Sequence, residues 1–74
     1  MERKSELIDD YQRRFTYHPP KEDQIGRYEK IRQHAKSFAE IVIFTAPDSR
    51  ELGEAIKHIE EAVFWANAAI ARRE

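Results

Sequence analysis

Leu52, Ile56, Ile59, Val63, Ala66 and Ile70 recur at steps of 4, 3, 4, 3 and 4. That spacing places all six on one face of an α-helix, whereas a strand would scatter them over both faces. The start of this helix is marked twice. Pro47 stops whatever precedes it, and Asp48 with Glu51 three residues on forms a candidate capping box. Ala68, Ala69 and Ala71 favour helix through the rest of the stretch. A helix of about 24 residues is roughly 36 Å long. Nothing that long stays ordered alone, so the rest of the 74 residues must supply its partner.

The partner lies directly upstream. Tyr28, Ile31, Ala35, Phe38 and Val42 step by 3, 4, 3 and 4, predicting a second long helix from Asp23 or Gln24 to about Phe44. Its last residues, Ile41, Val42, Ile43 and Phe44, are β-branched or aromatic and also suit a strand. A single strand has nothing to pair with, so the run reads as a helix end buried on several sides. With only Thr45, Ala46 and Pro47 as a link, the two helices form an antiparallel hairpin over 24–74. Residues 2–14 read as a short helix with Leu7, Ile8 and Tyr11 on one side, too short to stand undocked. Between them, in 15–23 (FTYHPPKED), Pro19 and Pro20 break the helix. The expectation is an all-α single domain: an N-terminal helix within 1–14, a loop over 15–23 and the hairpin.

Size and composition narrow the rest. A monomer of 74 residues buries only about 60% of its unfolded surface and needs reinforcement. There is no cysteine, which excludes disulfides and thiolate metal sites and fits a reducing compartment. His18, His34 and His58 are too scattered for a zinc site. Ala55, Ala62, Phe64, Trp65 and Ala69 lie off the main stripe of the last helix, as Ile41 and Phe44 do in the second. This surplus of apolar surface argues for a homo-oligomer. A formal charge of −1 with 36% charged residues gives no support to duplex nucleic-acid binding. No apolar run approaches the roughly 20 residues of a membrane span. The opening MERKSELIDD resembles neither a signal nor a transit peptide, so a soluble intracellular protein is expected.

Catalytic patterns are missing: no Gly-rich loop, no cysteine nucleophile, no HExxH, and no triad around Ser5, Ser37 or Ser49. Glu60 and Glu61 read as a solvated helix face. The chain is expected not to be an enzyme, with no catalytic residue, no metal site and no cofactor. Anion binding is better supported. Lys21, Arg27, Lys30 and Arg32 follow the aromatic loop, and an antiparallel hairpin brings Arg72 and Arg73 to the same end. Phe15, Tyr17 and His18 either plug the end of the core or meet a ligand. Guanidinium groups beside stacking rings suit a nucleotide. The plainer readings are that Arg72 and Arg73 complement a helix dipole, that Phe15 caps the core, and that His18 bonds the backbone.

The segments FTYHPPKEDQIGRYEKIR and EEAVFWANAAIARRE, with the break before SRE, closely resemble the hairpin domain of phage anti-defence sponges, above all the anti-CBASS cyclic-nucleotide sponge. The same hairpin occurs, with an additional domain, in a Thoeris anti-defence sponge. The resemblance spans about 15–74. It implies a helical hexamer acting in the cytoplasm of the infected bacterial host. Its ligands would be cyclic dinucleotides and cyclic trinucleotides, held in separate classes of pocket between subunits and sequestered without cleavage. Tyr17 and His18 lie in the FTYHPP segment, Arg27, Tyr28 and Arg32 in RYEKIR, and Arg72 in IARRE. The family usually shows a proline near position 25 and an asparagine near 73, where this chain has Ile25 and Arg73, the latter an added cation. With Lys21, the candidate ligand set is Tyr17, His18, Lys21, Arg27, Tyr28, Arg32, Arg72 and Arg73. The alternatives are a sponge for the cyclic ADP-ribose-type Thoeris signal, which the missing extra domain disfavours, and a ligand-free helical interaction module.

Overall fold

A computed structural model describes residues 3–74 and contains three α-helices: α1 (Lys4–Phe15), α2 (Glu22–Thr45) and α3 (Arg50–Arg73). The expectation that the first helix includes Glu2 falls outside the described residues. The Ile41–Phe44 run is helical, and no strand occurs among the described residues.

Local chemistry explains the helix ends. Lys21 is the N-cap of α2, so the helix begins at Glu22, one to two residues ahead of the predicted start. Its carbonyl accepts from the Gln24 N–H (3.0 Å), and the Gln24 Oε1 accepts from the Lys21 N–H (2.9 Å). α2 closes where the Ala46 N–H donates to the Val42 carbonyl at 2.9 Å. The N-cap of α3 is Ser49 rather than Asp48. The Ser49 Oγ accepts from the Leu52 N–H at 3.2 Å and donates to the Pro47 carbonyl at 3.0 Å. The hydroxyl thereby satisfies an orphan N–H of the first turn, and the predicted Asp48–Glu51 box is displaced by one residue.

α2 and α3 pack along each other as an antiparallel hairpin. All six stripe residues of α3, Leu52 to Ile70, are half-buried in this seam. In α2 the seam takes Tyr28, Ile31, Ala35 and Val42 as predicted, but Ala39 where Phe38 was expected. A 3.6-residue period starting at Ala35 falls between these two positions. The small Ala39 lies half-buried, while Phe38 stays 55% exposed at the edge of the seam.

The open end of the hairpin is held by a polar clasp. Gln24, only 3% exposed, donates from Nε2 to the Ile70 carbonyl (3.4 Å) and to the Glu74 Oε1 (3.1 Å). Arg27 grips Glu74 in a fork, with Nη1 on Oε2 at 2.8 Å and Nη2 on Oε1. Lys21 Nζ donates to the main-chain oxygen of Glu74 at 2.6 Å. Donors from Lys21, Gln24 and Arg27 at the start of α2 thus converge on Glu74, just past the end of α3.

No apolar side chain is fully buried among the described residues. Phe15 does not cap a core: it is 87% exposed. The end of α2 is not buried on several sides either, with Ile41 at 62% and Phe44 at 85% exposure. One layer of helices offers no second surface to cover these side chains. The molecule measures 44 × 33 × 13 Å. Its radius of gyration is 15.7 Å, against about 11 Å for a compact domain of this length.

The clasp makes stability depend on acid. The Glu74 carboxyl is held down to about 2 from an ordinary 4.5, first by the hydrogen bond from Arg27 and then by that from Gln24. A depressed carboxylate stabilises the fold above its ordinary value and ceases to do so as pH falls through the folded one. Glu74→Gln is therefore expected to melt below the parent at neutral pH, with the gap closing between about 4.5 and about 2. Thermal melts across that range check this, and a gap that stays constant down to the acid end contradicts it.

Candidate functional site

A hollow of about 510 Å³ opens where all three helices meet near the clasp. This is within the usual range for small-molecule sites. The last turn of α1 contributes Arg13 and Arg14, and the following loop contributes Thr16, Tyr17 and His18. α2 adds Tyr28 and Arg32 on successive turns of one face, a four-residue step. α3 adds Phe64, Asn67, Ala68, Ala71 and Arg72. The small alanines leave the floor low, and aromatic rings and guanidinium groups stand around it.

Five residues of the predicted set therefore come together: Tyr17, His18, Tyr28, Arg32 and Arg72. The other three are turned to structural pairings. Lys21 and Arg27 belong to the clasp on Glu74, with Arg27 also 3.3 Å from Asp23. The bond to Glu74 raises the affinity of the Arg27 guanidinium for its proton above the ordinary value. Arg73 donates from Nη1 and Nη2 to the two carboxylate oxygens of Asp10, at 3.1 and 3.2 Å. The Arg73 cation is thus paired with the Asp10 carboxylate of α1. Ile25 is half exposed and does not line the hollow.

Asp10 is buried at the junction of α1 and α3. It also accepts from the Arg14 Nε at 3.0 Å and stands 3.5 Å from the Arg13 Nη1. The bond from Arg14 lowers its carboxyl most, Arg73 adds a hydrogen bond and charge, and partial burial opposes them. The Tyr17 loop is tied to the same helix, because the His18 Nε2 lies 2.8 Å from the Arg13 carbonyl. As the backbone oxygen can only accept, the ring carries its proton on Nε2. The backbone-bonding reading of His18 is the one observed, at a place that also lines the hollow.

Electrostatically the hollow is one-signed. Its charged lining residues are arginines, and no carboxylate is among them. Arg32 and Arg72 pair with no acidic side chain among the described residues. Asn67 adds a buried Oδ1 acceptor that has no hydrogen-bond partner. Such a group is costly unless something donates to it. No group of three His, Cys, Asp or Glu residues that would hold a metal occurs among the described residues. No helix there is long and apolar enough to cross a membrane.

Arg13, Arg14 and Asn67 were not singled out from the sequence. The two arginines directly precede FTYHPP, and Asn67 is a lone amide in an alanine-rich stretch. Those are weak signals until α1 is seen to fold back on the hairpin.

The family model described as Acb2/Tad1, hairpin domain, matches residues 9–71. The match takes in the end of α1, the aromatic loop and nearly all of both long helices. No curated protein and no solved structure matches the chain.

Proposed function

The chain belongs to the Acb2/Tad1 hairpin family, and from that premise we propose that it is a phage anti-defence sponge for cyclic oligonucleotide signals. It binds cyclic dinucleotides, and cyclic trinucleotides as well, and keeps them from CBASS effectors in the cytoplasm of the infected bacterium without cleaving them. The observation that carries this reading is the lining of the hollow, where arginines and tyrosines meet with no carboxylate among them. Arg32 and Arg72 grip phosphate through planar, bidentate hydrogen bonds. Tyr17 and Tyr28 offer rings for bases, and the unpartnered Asn67 Oδ1 accepts from a base amino group. A scaffold without a ligand has no need of this cluster.

Sequestration requires tight binding, and nanomolar affinity corresponds to roughly −12 kcal/mol. A hollow open to solvent on one chain does not exclude enough water for that, so a second copy closes it. The exposed surface supports this assembly. The chain exposes 6467 Å², about 1,700 Å² more than the roughly 4,800 Å² of a compact monomer of its mass. A standard interface takes only about 800 Å² per partner. The excess leaves room for more than one interface per subunit, which supports the reading of a hexamer. An apolar groove of about 690 Å³, lined by Ile31, Phe38, Val42, Ala55 and Ala62 among others, is ready for such packing. In dilute solution the chain is expected to sediment as a stable oligomer, and a folded 8.8 kDa species at micromolar concentration would contradict the assembly.

The family name joins Acb2 with Tad1, which keeps a cyclic ADP-ribose-type Thoeris signal as the second reading. Thermal-shift titration against cyclic dinucleotides, cyclic trinucleotides and cyclic ADP-ribose separates the two, because a tight ligand raises the melting temperature by linkage. Arg32→Ala and Tyr17→Ala are each expected to weaken cyclic-dinucleotide binding while leaving the oligomer intact. For Arg32 the lost charged hydrogen bond costs about 1.5–3 kcal/mol, tenfold or more. Parent-like titration by both variants would move the site elsewhere.

Capture is expected to return the ligand unchanged. Arginine and tyrosine bind phosphate but rarely serve as a base at neutral pH. After long incubation with excess protein and heat release, chromatography should recover intact cyclic dinucleotide. Linear products accumulating at substoichiometric protein would mark an enzyme instead.

A further inference from the structure

We propose that the last turn of α1 is a second phosphate-gripping wall of the hollow. Arg13 contacts a phosphodiester of the ligand, and Asp10 is the positioning residue that keeps that wall in place. This rests on the cyclic-nucleotide reading, and it gives a ligand contact to a helix that reading leaves aside.

Arg13 and Arg14 both line the hollow, but Asp10 holds them differently. The Arg14 side chain is 30% exposed and its Nε is bonded to Asp10 at 3.0 Å. The Arg13 side chain is 56% exposed, and its Nη1 stands 3.5 Å from the carboxylate, a distance for attraction but not for a good hydrogen bond. A guanidinium held loosely on one side keeps its other N–H groups for a bidentate oxyanion. An exposed pair of this kind also contributes little by itself, so turning Arg13 toward phosphate sacrifices little. A cyclic dinucleotide carries its two phosphodiesters on opposite sides of one ring. Cations on separate helices, with Arg13 on α1, Arg32 on α2 and Arg72 on α3, suit that shape.

Two contacts couple the wall to the rest of the site. The His18 Nε2 donates to the Arg13 carbonyl at 2.8 Å, so the Tyr17 loop and the Arg13 backbone are joined. The two oxygens of Asp10 take both Nη groups of Arg73, which ties α1 to α3. The apolar side of α1 does not do this: Leu7, Ile8 and Tyr11 are 41, 58 and 52% exposed. Within one chain the wall is therefore anchored by charge, and the anchor is Asp10.

The test titrates cyclic di-AMP, cyclic di-GMP and cyclic GMP–AMP calorimetrically into the full chain, and the best binder is carried forward. Arg13→Gln is expected to weaken it tenfold or more with the melting temperature of the free protein unmoved, and Arg13→Lys to recover part of the loss. Asp10→Asn is expected to weaken binding too, and in that background Arg13→Gln should cost far less than in the parent. This coupling is what distinguishes a positioning role from mere support of the fold. Parent-like affinity in Arg13→Gln overturns the Arg13 contact. Additive losses, or tighter binding by Asp10→Asn, overturn the positioning role. A parent that binds none of the three nucleotides overturns the cyclic-dinucleotide reading itself, an outcome separate from failure at Arg13.

Discussion

The architecture depends on the clasp between Gln24, Arg27, Lys21 and Glu74 at the open end of the hairpin. An apolar seam with 3/4 spacing excludes small slips between helices but tolerates a slip of a whole turn, because every fourth position is again apolar. A side-chain amide with hydrogen bonds to Ile70 and Glu74 at one end does not tolerate it. Gln24 is also the most buried of the described residues, so a slipped register would strand its donors away from water. The same register sets the hollow. Tyr28 and Arg32 lie one and two turns beyond Gln24, opposite Asn67 and Arg72, which flank Ile70. Register and the geometry of the hollow are thus one property of this hairpin.

The arginines of this end divide by the carboxylates within their reach. Glu74 takes Arg27, and Asp10 takes Arg73 and Arg14, while Arg32 and Arg72 are left to the hollow. This division resolves a conflict that small cationic sites face. Guanidinium groups crowded enough to bind two phosphates repel one another in the empty protein, at roughly 4 kcal/mol for a pair 4 Å apart at an effective dielectric of 20. Pairing some of these cations with acids that lie outside the lining limits that repulsion and keeps the lining free of negative charge.

The strict periodicity made the three helices, the hairpin and the α3 face legible, because one buried stripe per helix has a single solution. The helix starts shifted by a residue or two where two capping residues compete, as Asp48 and Ser49 do. Phe38 gave way to Ala39 because hydrophobicity marks a stripe while closest approach selects size. Phe15, Ile41 and Phe44 were read as buried because apolar character tells that a side chain seeks cover, not that its own chain supplies it. The aromatic and cationic composition near FTYHPP pointed to residues of which five line one hollow. Lys21, Arg27 and Arg73 stand apart from the hollow because carboxylates and a main-chain oxygen distant in sequence engage them. Glu74 and Asp10 find those partners through contacts 47 and 63 residues apart in sequence, which spacing does not reveal.

Thinness is the remaining constraint, and it orders the others. A layer 13 Å thick fully buries no apolar side chain among the described residues, so its stability leans on polar contacts at its edges. Edge contacts of charge on charge are worth little in water and more when a neighbouring subunit excludes it. The Asp10–Arg73 and Glu74–Arg27 pairs, partly exposed in one chain, are of this kind. Covering them on assembly would strengthen the pairings that hold α1 and the clasp. The same step would dry the hollow and raise the worth of each arginine–phosphate bond. On the proposed reading, folding, assembly and ligand affinity in a chain this flat would all draw on the same exclusion of water.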